Sequence, residues 1–324
     1  MSVARRCHTT SILSNGKILV VGGWGSNESL ASAELYDPST GNWTTTGNMS
    51  VARGYHTASI LSNGKILVNG GLSSSGPLTS AELYDPSTGN WTTTGNMSVA
   101  RGYHTASSLS NGKILVVSGL GSNGSLASAE LYDPSTGNWT TTGNMSAARG
   151  YHTASSLSNG KILITGGGNG NIPLTSAELY DPLTGNWTRT GNMSVARRYH
   201  TASNLSNGKI LITGGGNGSG PLTSAELYDP ITGNWTTTEN MSVARRFHAA
   251  SILSNGKILI TGGRNGSGPL TSAELYDPST GNWTTTENIN DARYYHTASI
   301  LSNGKILVNG GWGSSGSLIS AELY

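Results

Sequence analysis

Residues 49–96 read MSVARGYHTASILSNGKILVNGGLSSSGPLTSAELYDPSTGNWTTTGN, and close variants of this stretch tile the whole 324-residue chain. Tyr36, Tyr84, Tyr132, Tyr180, Tyr228, Tyr276 and Tyr324 stand 48 residues apart. A period of roughly 20–50 residues marks a solenoid, a propeller or an array, so the fold follows from what one unit can form. The unit has no helical period. His56 to Leu61 and Lys65 to Val68 flank Ser62-Asn63-Gly64, and Asn-Gly supplies the positive φ angles of a tight hairpin turn. Ile66-Leu67-Val68 is apolar without alternation, as expected of a strand covered on both faces. A Gly-rich loop from Gly70 to Gly76 leads to Ser80–Tyr84, whose alternation reads as a third strand. In Asp85–Asn90, Pro86 presets φ and Gly89 supplies the left-handed position of a compact turn. Trp91–Thr94, aromatic and β-branched, is a fourth strand.

Four short antiparallel strands repeated seven times predict an all-β fold, a seven-bladed β-propeller of four-stranded antiparallel blades. An open β-solenoid is the second choice, since its coils are usually much shorter. The Gly-Gly doublet after the second strand (Gly22-Gly23, Gly70-Gly71, Gly166-Gly167, Gly214-Gly215, Gly262-Gly263, Gly310-Gly311), Tyr 13 residues on and Trp seven after that, as from Tyr36 to Trp43, resembles the kelch repeat. It is similar to bacterial kelch units related to the galactose oxidase propeller. Two units depart from the pattern: the third has Ser118-Gly119, and the last lacks Trp.

The resulting expectation is a single kelch-like domain over 1–324, with units 1–48, 49–96, 97–144, 145–192, 193–240, 241–288 and 289–324. Seven full periods would need 336 residues, twelve more than the chain has. The pattern after Tyr324 calls for DPSTGNWTTTGN, a turn and a fourth strand. The last blade is therefore expected to lack its outer strand, giving 27 strands and an unpaired edge at Ala321–Tyr324 that invites self-association.

Composition removes several classes. Charged residues are 11% of the chain, against roughly 25% in ordinary soluble proteins, and the net charge is +2. Neither a nucleic-acid-binding polycation nor an acidic tail is present. No apolar run approaches the roughly 18 residues of a membrane-spanning helix, so no membrane insertion is expected. Cys7 is the only cysteine, which excludes an intrachain disulfide and a thiolate zinc cluster. The opening MSVARRCHTT is in register with Met49–Arg53, not a signal or transit peptide. The expected setting is a larger secreted or cell-surface protein.

Most recurring polar and aromatic residues read as structure. Gly22 and Gly23 permit close backbone approach, and Tyr36 and Trp43 fill the wedge between blades. Glu34 and Arg53, with their equivalents, are expected to form one Arg–Glu pair per blade, because a buried charge needs a partner. Asp37 and its equivalents cap the Asp-Pro turn. His8, His56, His104, His152, His200, His248 and His296 fall at one position near the predicted channel. They form a conceivable metal or anion ring, set against the reading that each hydrogen-bonds backbone in its own blade. No cofactor is expected.

The units differ from one another mainly at the pair before the His and in the loop after Gly-Gly, which an up-and-down blade places at the same end. Loops on a rigid scaffold are where recognition is built. With the ring closed, Trp24 and Trp312 would be neighbours, with Arg264 and Tyr294 close by and Arg6 in the variable pair. The first reading of function is a non-enzymatic binding or scaffold module that uses this face for a protein partner. A lectin-like carbohydrate binder is the alternative, with the two Trp as stacking platforms. The galactose oxidase resemblance adds a copper-radical oxidase, which uses a Tyr crosslinked to Cys, a second Tyr and two His. Cys7 is the only candidate thiol, and it occupies the slot of Tyr55, Tyr103, Tyr151, Tyr199, Phe247 and Tyr295. Recent amplification or engineering without an evolved ligand is a further reading.

Overall fold

The second strand of each unit carries the core. Ile18–Val21 and Ile66–Asn69, like their five counterparts, are buried at all four positions. The computed structural model describes the whole chain, Met1–Tyr324. In the first blade Thr9–Ile12, Ile18–Val21, Ala33–Asp37 and Asn42–Thr45 form an antiparallel sheet in sequence order. Five further sheets repeat it, and the seventh contains three strands, Thr297–Ile300, Ile306–Asn309 and Ala321–Leu323. The first strands of successive blades lie side by side all the way round, including Thr9–Ile12 against Thr297–Ile300. The fold is a seven-bladed propeller.

The structure departs from expectation in the loop after Gly-Gly. In blades 2 to 5 this loop forms a two-stranded ribbon, such as Leu72–Ser73 with Gly76–Pro77. These eight short strands add to the 27 blade strands. In the blade 2 ribbon Gly76 (φ +114) takes a turn geometry closed to most residues.

Packing is between blades rather than within them. Leu19, Val21 and Ala33 of the first blade meet Ile66, Val68 and Tyr84 of the second, with Met49 and Leu13 completing a cluster of eight. At about 1.5–3 kcal/mol per fully buried aliphatic or aromatic side chain, each such interface is the main local source of cohesion. Tyr84 and Trp91 lie 5.0 Å apart, and Trp91 Nε1 donates to Gly47 O of the preceding blade at 2.7 Å. The doublet glycines sit in the same seam. A Cβ on Gly70 would lie 2.6 Å from Arg101 O and 2.7 Å from His104 Cε1 of the next blade. At Ser118, also left-handed (φ +62), the hydroxyl lies between Leu126 O and Arg149 O, with one proton to give to either.

Every blade contains the expected Arg–Glu pair. Arg53 is fully buried, and its guanidinium donates to Glu82 Oε1 at 3.0 Å and to Gly70 O and Ser80 O. Glu82 also accepts from the backbone of Ser50 and Val51. The pair thus ties the segment leading into a blade to that blade's third strand. At the opposite end of the disc, Asp37 Oδ1 accepts from Ser39 N at 3.0 Å, and Asp37 pairs with Lys17 at 3.2 Å.

Candidate functional site

The variable positions surround the axis on one face. Their frame is a ring of seven residues, Cys7, Tyr55, Tyr103, Tyr151, Tyr199, Phe247 and Tyr295, all with left-handed φ between 53° and 60°. Such a conformation costs an L-residue roughly 1–2 kcal/mol, and the compensation is visible. Each N–H donates to the carbonyl of the preceding ring residue, and Cys7 N to Tyr295 O at 3.1 Å completes the circle. The six aromatic rings lie 4.0–4.4 Å apart in succession from Tyr55 to Tyr295, and 5.7 Å apart across Cys7. They plug the channel. Burial pushes the Cys7 thiol and the phenols of Tyr55, Tyr103, Tyr151 and Tyr295 well above their ordinary ranges.

Five of the histidines keep a backbone contact to the Arg three residues earlier in their own blade, and the ring also bonds across the seam. Nε2 reaches into the preceding blade and meets side chains there: His104 with Asn69 Oδ1 (2.9 Å) and Thr57 Oγ1 (3.1 Å), and His8 with Asn309 Oδ1 (2.7 Å) and Thr297 Oγ1 (3.0 Å). The reason is reach: with its ring in the interblade seam, each His lies beside a neighbour's strand end. In His8 and His104 the Asn309 and Asn69 amide oxygens accept, so Nε2 carries the proton there, and Nδ1 of every His is buried. Burial holds His8, His56, His152 and His296 down to about 3. For His56 and His152, the guanidinium three residues earlier adds to the effect. No three His, Cys, Asp or Glu side chains converge in a way that could hold a metal ion. Cys7 lies against Tyr55, while the imidazoles are engaged in the blade seams, so the two-Tyr, two-His copper set is not assembled.

The variable pair and the variable loop are matched across blade boundaries. Where the loop residue is large, the next blade presents glycine: a Cβ on Gly54 would fall 2.2 Å from Trp24 Cδ1, and one on Gly102 2.7 Å from Leu72 Cδ2. Leu120 faces Gly150 in the same way. Where the loop residue is Gly168 or Gly216, the next blade supplies Arg198 or Arg246 to cover it. The last two junctions pair Arg264 with the Tyr294 ring (5.5 Å) and Trp312 with Arg6 (4.0 Å).

All five residues singled out as ligand contacts lie in one run on this face. Trp24 bridges by backbone to Arg6, Arg6 covers Trp312, Trp312 bridges by backbone to Tyr294, and Tyr294 carries Arg264. Arg6 also donates to Gly25 O (2.9 Å) and Ser317 Oγ (2.8 Å), clamping the two Trp-bearing loops together. The indoles do not stack on each other. Trp24 rests on Gly54 and Trp312 on Arg6, so one face of each is covered. Beside Trp24 is a groove of about 560 Å³ lined by Val3, Ala4, Gly25, Glu28 and Leu30.

Two residues of this face were absent from the sequence-derived candidates: Arg198, over the Tyr199 ring at 5.3 Å, and Arg246, over Phe247 at 5.2 Å. The signal that would have found them is a charge count. Seven of the twelve Arg lie in the Arg–Glu pairs. Of the remaining five, Arg6, Arg189, Arg198, Arg246 and Arg264, all but Arg189 border the plug in blades 5, 6 and 1. Blades 2 to 4 have Gly54, Gly102 and Gly150 at the Arg6 position.

The sequence pattern of the KLHDC2/KLHL20/DRC7 Kelch-repeats domain matches residues 7–203 and 141–311. No curated protein matches the chain. Among solved structures, a fungal alcohol oxidase described as having catalytic diversity among the AA5 family, in complex with copper, is similar with a TM-score of 0.78. The two are 23% identical, over 96% of this chain and 70% of that one, a likeness of fold.

Proposed function

The chain belongs to the kelch-repeat family, and from that premise we propose that it is a non-enzymatic protein-binding module whose partner sits on the loop face across blades 5, 6, 7 and 1. Kelch propellers typically serve as protein-interaction scaffolds. The observation that carries the reading is the one-sided placement of Arg6, Arg198, Arg246 and Arg264, next to Tyr294 and Trp312, on an otherwise charge-poor repeat. Apart from the carboxylates of the repeating pairs, the chain has only Glu28, Glu239, Glu287 and Asp291. An arc of guanidiniums resting on aromatic rings suits an anionic peptide segment, for which Arg supplies planar, multi-donor contacts and the rings supply area with little entropy to lose.

The test is selection of peptides from a random display library on the immobilised chain. Enriched sequences should be acidic, and their binding should weaken steeply between about 0.05 and 0.5 M salt, as the screening length shortens. Substituting Arg198, Arg246 and Arg264 by Ala together should abolish it. Equal binding to the triple variant would refute the proposal. If only an immobilised glycan binds, and both Trp24→Ala and Trp312→Ala remove it, the face is a carbohydrate site instead.

A further inference from the structure

The end of the disc opposite the loop face has its own departures from the repeat, and they fall together. The first strand ends on Ile12, Ile60, Ile252 and Ile300 in blades 1, 2, 6 and 7, but on Ser108, Ser156 and Asn204 in blades 3, 4 and 5. The residue after Asp-Pro is Ser39, Ser87, Ser135 and Ser279 in blades 1, 2, 3 and 6, but Leu183 and Ile231 in blades 4 and 5. Blades 4 and 5 thus invert the usual order, with the polar side chain nearer the axis and the apolar one at the rim. Leu183 and Ile231 are 96% and 94% exposed, so neither adds to the burial that holds the blades together.

A cleft runs between these two blades. Its inner part, about 350 Å³, lies between Ser156 and Ser158 of blade 4 and Asn204 and Ser206 of blade 5. Ser158 and Gly208 also line an outer part of about 150 Å³, bounded by Lys209, Asp229 and Ile231, so the two are continuous. Asn204 Nδ2 donates to Ser156 O at 2.6 Å, and its Oδ1 meets no donor in the chain. The carboxylate at the rim is freer than its counterparts. In the turns that carry Ser, the hydroxyl donates to the aspartate at 2.6 Å. Ile231 has no hydroxyl, and Asp229 Oδ1 keeps only the backbone donors Ile231 N (2.9 Å) and Thr232 N (3.4 Å). Lys209 stands 3.7 Å from Asp229, where the other five Lys–Asp pairs span 3.0–3.2 Å.

We propose that this cleft is a binding site for a neutral saccharide. A sugar ring combines hydroxyls, each both donor and acceptor, with an apolar C–H face. The cleft offers the complement of each: Asp229 and Asn204 Oδ1 accept, Ser158, Ser206 and Lys209 donate, and Ile231 beside Pro230 gives the C–H face an aliphatic surface. The charges of Lys209 and Asp229 cancel, so the cleft does not select an ion, unlike the arginine arc of the loop face. With its two parts of about 350 and 150 Å³, it falls in the size range of small-molecule sites, roughly 300–1,000 Å³. The residues that the repeat has elsewhere would undo it. Ile in place of Asn204 removes the free amide oxygen, and Ser in place of Ile231 supplies a hydroxyl that occupies Asp229.

The test is isothermal titration of the chain with a panel of neutral trisaccharides: maltotriose, cellotriose, mannotriose and tri-N-acetylchitotriose. At least one should bind saturably with a Kd at or below about 1 mM. Asn204→Ile installs the residue that blades 1, 2, 6 and 7 already hold at this position, so the fold is kept, and it should abolish binding. Ile231→Ser likewise installs the residue of four other turns. It should weaken binding roughly 10- to 150-fold, the range of one hydrogen bond to a charged group. Unchanged circular dichroism and melting temperature of both variants confirm that folding is not the cause. The loop-face variants, Trp24→Ala, Trp312→Ala and the arginine triple, should bind the sugar as the parent chain does, which separates this site from the proposed partner surface. Saturable binding by none of the panel, or equal binding by either cleft variant, would overturn the proposal. So would loss of binding in Trp24→Ala or Trp312→Ala, which would place the sugar on the loop face.

Discussion

Lowering the pH from 7 to 5 is expected to unfold the propeller in one cooperative step, with the seven histidines setting the size of the effect. Each is buried in a blade seam, and burial outweighs the backbone carbonyl of the Arg three residues earlier that favours the charged ring at five of the seven, so the imidazolium is disfavoured in the folded state. His8, His56, His152 and His296 are held down to about 3, and His104, His200 and His248 lie well below the ordinary range, chiefly through burial. In the unfolded chain a histidine titrates near 6.5. Below that pH the unfolded state binds more protons than the folded one, so stability is full above about 6.5 and falls as the pH drops. At pH 5 the loss is about 2 kcal/mol per histidine, and roughly 14 kcal/mol for seven. That equals the whole stability of an ordinary domain, about 5–15 kcal/mol. The turn aspartates do not contribute in this window. Asp85, Asp133 and Asp277 are lowered to about 2, so their contribution is present above the ordinary carboxylate value and is lost only as the pH falls toward 2. Near-ultraviolet circular dichroism and calorimetry at pH 7, 6 and 5 should show a collapsing melting temperature, with uptake of about seven protons on unfolding at pH 5. An unchanged melting temperature over this range, or folded-state imidazole resonances titrating near 6.5, would refute the reasoning.

Two further substitutions probe the seams. Glu178→Gln leaves the fully buried Arg149 without its carboxylate, and denaturant melts should show a loss of about 3–5 kcal/mol; a loss below 1 kcal/mol would mean that the pair is dispensable. Gly102→Arg drives a side chain into Leu72 at a cost of roughly 1–3 kcal/mol. Adding Leu72→Gly recreates the Gly168–Arg198 combination and should restore most of the loss, whereas strictly additive effects of the two changes would contradict the matching.

The blade strands were legible because each is written locally. Asn63-Gly64 dictates a turn, Pro86 and Gly89 dictate another, and Ile66-Leu67-Val68 can only be buried between two layers. Arg53 and Glu82 were paired correctly from their shared period alone. Two things were not legible. Tyr and Phe favour extended backbone, so nothing local in Tyr103-His104 signals a left-handed residue; that conformation is imposed by closure of the ring. The loop-face substitutions read as recognition because units were compared column by column. Their partners lie thirty residues on, in another column of the next unit: Trp24 with Gly54, Leu72 with Gly102. Compared at that offset, a large residue meets a small one, and much of the variation becomes packing. What packing does not account for is the sign of the charge, since Arg198, Arg246 and Arg6 cover their neighbours where an uncharged side chain of similar size would also serve.

The circle of hydrogen bonds from Cys7 through Tyr295 and back has a topological consequence. A linear array of near-identical units holds no instruction about how many should assemble, since any unit can follow any other and a sixth or eighth copy would stack as well as a seventh. A circle without a first or last donor is different. Its angle per step must divide a full turn, and a copy too few or too many would bend all of its links at once rather than one. The number seven is thus a property of the loop's geometry rather than of any single unit, and a change in copy number would be met as a collective misfit at the axis before it was felt at any blade.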